Sequence, residues 1–321
     1  MTVRVSSPIV LAACEEWPVF LVFARTTQIV AGKSQRRQGE RVRAEIVHPE
    51  MGDHSKSAAS LKRDNHFLPV CYQKGFADSS GRVWVKFVDP EKAVHCYPKR
   101  VGKEWNLYLR NSGGVEDDKF EDFFDKHVEN AFAKLSQRVK REQNHLSSMT
   151  GKELGALGNF VAAQIVRTPA NKLCMREQVG RELATNEFTS EMGKQMRDIM
   201  RSWTANPPAF EFRTALPYVE ERFITGDNPV LTVAENDNPI PIPVDEPHQA
   251  VASVLDLLNN PKVTFRVALS PYICVFLHAQ GGGEAQLPPQ TTEPSEVRSF
   301  NDLIRKQCRL FTLARDEESL A

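Results

Sequence analysis

Three short stretches hold side chains that could share one piece of chemistry. His66 stands at the mouth of the apolar segment Phe67-Leu68-Pro69-Val70, with Asp64 and Asn65 beside it. An imidazole titrates near neutrality, so it can carry a proton or donate to a phosphate. Gln164 and Arg167 are three residues apart, which puts them on one helix face, and the planar guanidinium fork offers two parallel hydrogen bonds to a carboxylate or phosphate. Asp227-Asn228-Pro229 closes the apolar run at Phe223-Ile224 and would set a carboxylate at a strand end, able to bind a metal or orient a base. A cation, an imidazole and a carboxylate in one cleft are the minimum for binding a phosphate and moving a proton. On that reading His66 and Asp227 are catalytic, while Tyr72, Gln164, Arg167 and Asn228 bind substrate. The spacings name neither a metal nor a cofactor.

Each group also has a plainer reading. His66 can fix the entry of the segment it precedes. Arg167 can cap helix carbonyls ahead of Pro169, and Asp227 can bond its own backbone two residues on, with Pro229 holding Asn228 extended. Ser270-Pro271 and Asn301 read as structural. Familiar sites are missing from the sequence: it holds no GxxxxGK[ST], GxGxxG, HExxH or GxSxG. The glycines at 281–283 lack the strand–loop–helix setting of a phosphate cradle. Arg138 and His145 echo the Arg/His spacing of helical RNases, but in a charged helix end where chance matches are common. An Asp followed by Glu-x-Lys on adjacent strands, the mark of restriction-type nucleases, is also missing.

The elements that must position these groups follow from periodicity. The aromatic pair Tyr72 and Phe76 is at helical spacing, and beyond the turn Asp78-Ser79-Ser80-Gly81 the pattern switches to period two at Val83, Val85 and Phe87. A short helix delivered into a hairpin strand explains that switch. Further β-like stretches lie at 93–97 and 105–109. From 117 to 141 apolar residues recur every three or four, with an acidic start and a basic end that suit the helix dipole. A second helix runs from Gly151 to Arg167 and stops at Pro169, and a third spans 171–203; the three should pack as a bundle. Short strands follow at 210–212, 222–225, 230–233, 263–269 and 272–278, with a helix at 248–258 and a closing helix over 294–309. We therefore expect an α+β domain. Strands of 83–110 and 210–278 join in one mixed or antiparallel sheet, covered by the helical middle (117–203) and a C-terminal helix.

Composition excludes some partners. The chain has 321 residues, is 41% hydrophobic and 26% charged, and its 41 basic residues match 41 acidic ones. No global field therefore recruits nucleic acid or an anionic membrane, so such a partner needs a local patch. The six cysteines are scattered without a CxxC pair, which suits reduced thiols in the cytoplasm. No run reaches the roughly 18 consecutive apolar residues that cross a bilayer, and Glu15-Glu16 interrupt what could otherwise serve as a secretory core. Residues 1–60 read as a disordered or spurious extension, the first 50 being either an over-long gene start or an appended basic arm; 61–315 form a single domain, and 316–321 a tail. The oligomeric state is not legible.

The segment Asn65-His66-x-x-Pro69-x-x-Tyr72-x-x-x-Phe76, followed by Val83-Trp84-Val85, resembles the opening of the bacterial family called domain of unknown function 4238. Later pieces occur in the family's order: Asn106-Leu107-Tyr108, the acidic-aromatic helix of 120–135, Gln164-x-x-Arg167-Thr168-Pro169, Phe223 through Val230, Ala268-Leu269-Ser270-Pro271 and Asn301. The chain departs from the pattern at Cys71 and at Ala268. The resemblance implies a bacterial protein some of whose relatives sit among anti-phage defence genes. It points to an enzyme acting on a phosphate-containing substrate, nucleic acid or nucleotide, or alternatively to a non-enzymatic sensor, binding module or structural interaction protein.

Overall fold

The computed structural model describes residues 61–112, 115–142, 149–179, 184–205, 208–215, 220–234, 257, 260–278 and 286–321. The extension read at 1–60, all but Leu257 of the helix expected at 248–258, His145 and the glycines at 281–283 lie outside the described residues.

Strand β1 (Asp64–His66) leads into a one-turn helix, α1 (Val70–Gln73), which tightens into a 3-10 turn at Lys74–Phe76. The Asp78 carboxylate accepts from the backbone of Ser80 (2.8 Å) and Arg82 (3.1 Å), an Asx turn that starts the hairpin β2 (Val83–Phe87) and β3 (Lys92–Cys96). Then come β4 (Lys103–Trp105), β5 (Arg110–Ser112) and β6 (Val115–Asp117). The first long helical rod is α2 (Lys119–Phe123), a six-residue π-helical turn (Phe124–Glu129) and α3 (Asn130–Glu142). Helix α4 (Gly151–Val166) opens on a Thr150/Glu153 capping box. The single helix expected over 171–203 is two, α5 (Pro169–Val179) and α6 (Thr185–Ala205), the second beginning where the Glu187 side chain takes the Ala184 N–H at 3.0 Å. The remaining strands are β7 (Ala209–Ala215), β8 (Thr225–Gly226), β9 (Val230–Ala234), β10 (Val263–Ser270), β11 (Ile273–His278) and β12 (Gln290–Thr292). Helix α7 (Pro294–Gln307) and strand β13 (Phe311–Ala314) close the chain.

The class is α+β, but the strands do not join in one sheet. A five-stranded sheet runs β12-β7-β11-β10-β9, antiparallel except for the parallel β12–β7 pair. The β2–β3 hairpin belongs to a separate four-stranded sheet, β3-β2-β13-β8, in which Val85 faces Leu313 and Thr225 faces Leu313 from the other side. Period-two patterning specifies which face of a strand is buried and leaves the partner open; here the partner is the last strand of the chain. Gly226 permits this closure, since a Cβ there would sit 2.5 Å from the Phe311 carbonyl oxygen.

The helical middle packs on the five-stranded sheet, α3 against β10 and α4 against β9, around aromatic rings. Phe132 of α3 and Phe160 of α4 stack at 3.7 Å between centroids, and Tyr72 lies 5.1 Å from Phe160 and 5.5 Å from Phe76. Among the described residues no helix is long and apolar enough to cross a membrane.

Candidate functional site

Nearly all of α4 is buried, from Leu154 through Val166. Pro169 forbids its continuation, so Arg167 becomes the cap residue, its N–H still bonded to the Ala163 carbonyl at 3.0 Å. Its side chain is 0% exposed, and a guanidinium cannot shed its charge, so it must be paired and hydrogen-bonded. With the Gln164 amide turned to present its oxygen, as an all-donor neighbour requires, that oxygen accepts from Arg167 Nε (2.6 Å) and Nη2 (2.9 Å). Arg167 Nη1 donates to Glu129 Oε1 at 2.9 Å. The guanidinium carbon lies 4.8 Å from the Phe124 ring centre, a cation–π contact.

The π turn makes this cage. Phe124 and Glu129 are the first and last residues of that turn. In an α-helix, residues five apart diverge by roughly 140°. A π turn aligns them, because its hydrogen bonds join i to i+5, and such turns concentrate at functional sites. One face of the rod can thus stack on the cation and neutralise it together. Burial alone would depress the Arg167 pKa; Glu129, with Tyr108 and Glu121, more than offsets this and holds it above its ordinary value.

The Arg167 charge also acts on Glu121, Tyr108 and Cys71, and that of Glu129 on His66. Glu121, two turns before Glu129, is largely buried, and its Oε2 has no partner within the protein. Burial, with the Arg167 charge opposing and Glu129 and Asp125 reinforcing, pushes its carboxyl up to about 8. Tyr108 is fully buried, its hydroxyl likewise unpartnered, and burial raises its pKa while Arg167 opposes the rise. The Asn106-Leu107-Tyr108 turn places it: Asn106 takes a left-handed backbone (φ 57°), which Asn tolerates, and the buried Asn65 accepts the Tyr108 N–H at 3.2 Å. Alternation along β1 turns Asn65 inward and leaves His66 half-exposed. His66 Nε2 is 3.4 Å from the Lys99 carbonyl oxygen, and burial lowers its pKa against the pull of Glu129. Cys71, over the Glu129 carbonyl at 3.9 Å, is pushed up to about 12 by burial, so it is no nucleophile at neutral pH.

The other sequence candidates are taken up elsewhere. Both Asp227 oxygens accept from the Arg309 N–H (3.1 and 3.3 Å), and Oδ1 also accepts from the Phe311 N–H (3.3 Å). Asp227 is therefore neither the local Asx turn of its plainer reading nor part of the Arg167 cage. It latches the link between α7 and β13, and burial raises its pKa despite those backbone donors. The Asn228 carbonyl accepts from Gln307. Tyr72 donates to the Ala268 carbonyl (2.6 Å) and accepts from Thr225 Oγ1 (2.8 Å), tying β8 of one sheet to β10 of the other. Asn301 accepts from the Ile224 N–H at 3.1 Å and donates to the Arg222 carbonyl at 2.7 Å. We expect Asp227→Ala to leave two backbone donors without their acceptor and to lower stability by about 2 kcal/mol or more, read from urea unfolding. Lost activity at unchanged stability would instead restore a catalytic Asp227.

The structure thus joins Gln164 and Arg167 to Glu129, with His66 bonded instead to the Lys99 carbonyl, and it draws attention to Glu121 and Tyr108, which sequence reasoning had passed over. The signal was present: Tyr108 and the acidic-aromatic helix are both among the stretches that carry the family resemblance. Among the described residues no group of three or more His, Cys, Asp or Glu is placed to hold a metal ion. No curated protein and no solved structure matches the chain. The model of the family described as "Protein of unknown function (DUF4238)" matches residues 64–318, nearly the whole of the described structure, and the chain belongs to that family.

Proposed function

We propose that this chain is a cytoplasmic enzyme that works by general acid–base catalysis on a phosphate-containing substrate, a nucleic acid or a nucleotide. Glu121 is its acid, Glu129 its base, and Tyr108 a hydrogen-bond donor. One observation supports the acid–base reading: the buried Arg167 guanidinium is salt-bridged to Glu129, and its charge also acts on Glu121, whose carboxyl burial raises to about 8. A carboxyl raised by burial beside a charged partner marks a candidate acid, and the two unpartnered polar atoms, Tyr108 Oη and Glu121 Oε2, are where a substrate would supply the missing bonds. His66, its pKa lowered by burial, is nearer solvent than these groups. The phosphate class and a role in defence against phage rest on the family resemblance, and the cytoplasmic placement on the scatter of cysteines.

The rival reading is a binding or structural module, favoured by the complete burial and full pairing of Arg167, as in a structural pin. Tyr108→Phe and Glu121→Gln separate the two. Neither removes a bonded partner, so both variants should fold. Turnover on a panel of RNA, DNA and nucleotides should fall about 10²–10⁴-fold, and any growth arrest on induced expression should disappear with it. Turnover or toxicity that persists in both variants would overturn the assignment.

A further inference from the structure

We propose that the outer face of the β2–β3 hairpin binds single-stranded nucleic acid; this rests on the nucleic-acid reading above and narrows it to an unpaired strand. Alternation along β2 buries Val83 and Val85 at 0% exposure, so Trp84 and Lys86, with Arg82 just ahead of the strand, lie on the opposite face. The ladder sets Trp84 opposite His95 and Lys86 opposite Ala93, and the Arg82 guanidinium carbon lies 5.0 Å from the Tyr97 ring centre. Cations and aromatic rings therefore share one face of the hairpin, row after row.

The rings are within reach of a ligand. Trp84 and His95 stack at 4.8 Å between centroids with 13° between their planes, both half-exposed, and Tyr97 is 44% exposed. The Asp78 carboxylate, 2.8 Å from His95 Nε2, fixes that imidazole, which leaves its ring face rather than its charge to offer. Among the described residues β3 is an edge of its sheet, so a base can extend the Trp84–His95 stack beyond the edge or lie on Tyr97. Such stacking accepts any base, and antiparallel sheets that carry aromatic rings bind unpaired strands in this way.

Charge selects nucleic acid over an apolar or basic partner. Within a chain of zero net charge, residues 82–100 hold five basic side chains against two acidic ones, which is the local patch that a polyanion requires. Of the five, Lys92, Lys99 and Arg100 are exposed. Lys86 meets Glu91 at 3.0 Å, a surface pair that solvent screens and a phosphate can replace. The basic turn Pro98–Arg100 also leads toward the rest of the candidate site, since the Lys99 carbonyl oxygen is 3.4 Å from His66 Nε2.

Fluorescence anisotropy of labelled 15-nucleotide oligo(dT) and oligo(rU), and of a duplex of equal length, tests this on the full chain, Tyr97→Ala, Arg82→Gln and Arg100→Gln. All three side chains are exposed or half-exposed, so the variants should fold, which circular dichroism checks. The native chain should bind the single strands more tightly than the duplex. Tyr97→Ala should weaken that binding by about fivefold to a hundredfold, and each arginine variant should lower the salt slope of log K by about 0.7. Absence of binding, equal affinity for the duplex, native affinity in all three variants, or equal competition by poly(glutamate), which would mark the face as a dock for an acidic protein, overturns the proposal. Single-strand binding by a chain that cleaves no nucleic acid upholds the face and overturns the enzyme reading. Turnover whose KM is unchanged in Tyr97→Ala and Arg82→Gln does the reverse.

Discussion

Arg167→Met should lower folding stability by roughly 3–5 kcal/mol, because removing one member of a buried ion pair strands the other. Three donors of the guanidinium are engaged, two on Gln164 and one on Glu129, and its face covers Phe124. Methionine fills most of the volume, so the loss is electrostatic rather than a cavity. Glu129 would face Glu121 and the Tyr108 hydroxyl without a cation, and the Gln164 oxygen would be orphaned at 0% exposure. Arg167→Lys should recover only part, since an ammonium cannot span Gln164 and Glu129 with a planar fork. Adding Glu129→Gln to Arg167→Met should return some of the loss, and the double-mutant cycle reads their coupling. Urea unfolding measures these proteins together with the Glu129→Gln single variant that closes the cycle; an Arg167→Met midpoint within error of the native one would mean that the cage is not what holds α4 against the π turn.

Stability should also fall as pH rises between about 4.5 and 8, with Glu121 as the source. Its folded-state carboxyl is raised from 4.5 to about 8, so across that window the folded protein holds a proton that the unfolded chain has released. Unfolding is therefore favoured with increasing pH, by up to about 1.4 kcal/mol per unit, and the loss levels off above the folded value. His66 acts with the opposite sign: its lowered pKa makes stability rise with pH, but only below its unfolded value near 6.5. Above 6.5 the His66 contribution is gone, and since the Asp227 carboxyl is also raised, the comparison with a Glu121 variant isolates Glu121. Glu121→Gln, which keeps the shape and removes the ionisation, should flatten the melting temperature there and melt above the native protein at pH 9. A native profile already flat over that interval, or one whose slope survives the substitution, would place Glu121 in water and remove it as the acid.

Much of the fold was legible because its signals are local. Asp78 and Gly81 announce the hairpin, Thr150 and Glu153 the start of α4, and Pro169 its end, each acting within a few residues. Gln164 and Arg167 were found for the same reason: their contact is between neighbours on one helix face. The break between α5 and α6 was lost under a continuous helical period. What the sequence by itself determined was the class, most helix ends, and an arginine at the end of an apolar helix, free to cap carbonyls or to bind an anion. Which anion it took was decided by tertiary structure. Glu129 reaches Arg167 across 38 residues only because a π turn rotates it there, and Glu121 becomes an acid only through burial by other elements. Asp227 becomes a latch because Arg309 and Phe311 arrive from 82 and 84 residues away, and the β2–β3 hairpin finds β13 rather than the central strands. Periodicity states which side of an element shuns water, a property of the residues themselves; pairing, desolvation and charge neutralisation are properties of what lies opposite, which exists only once the chain has closed on itself.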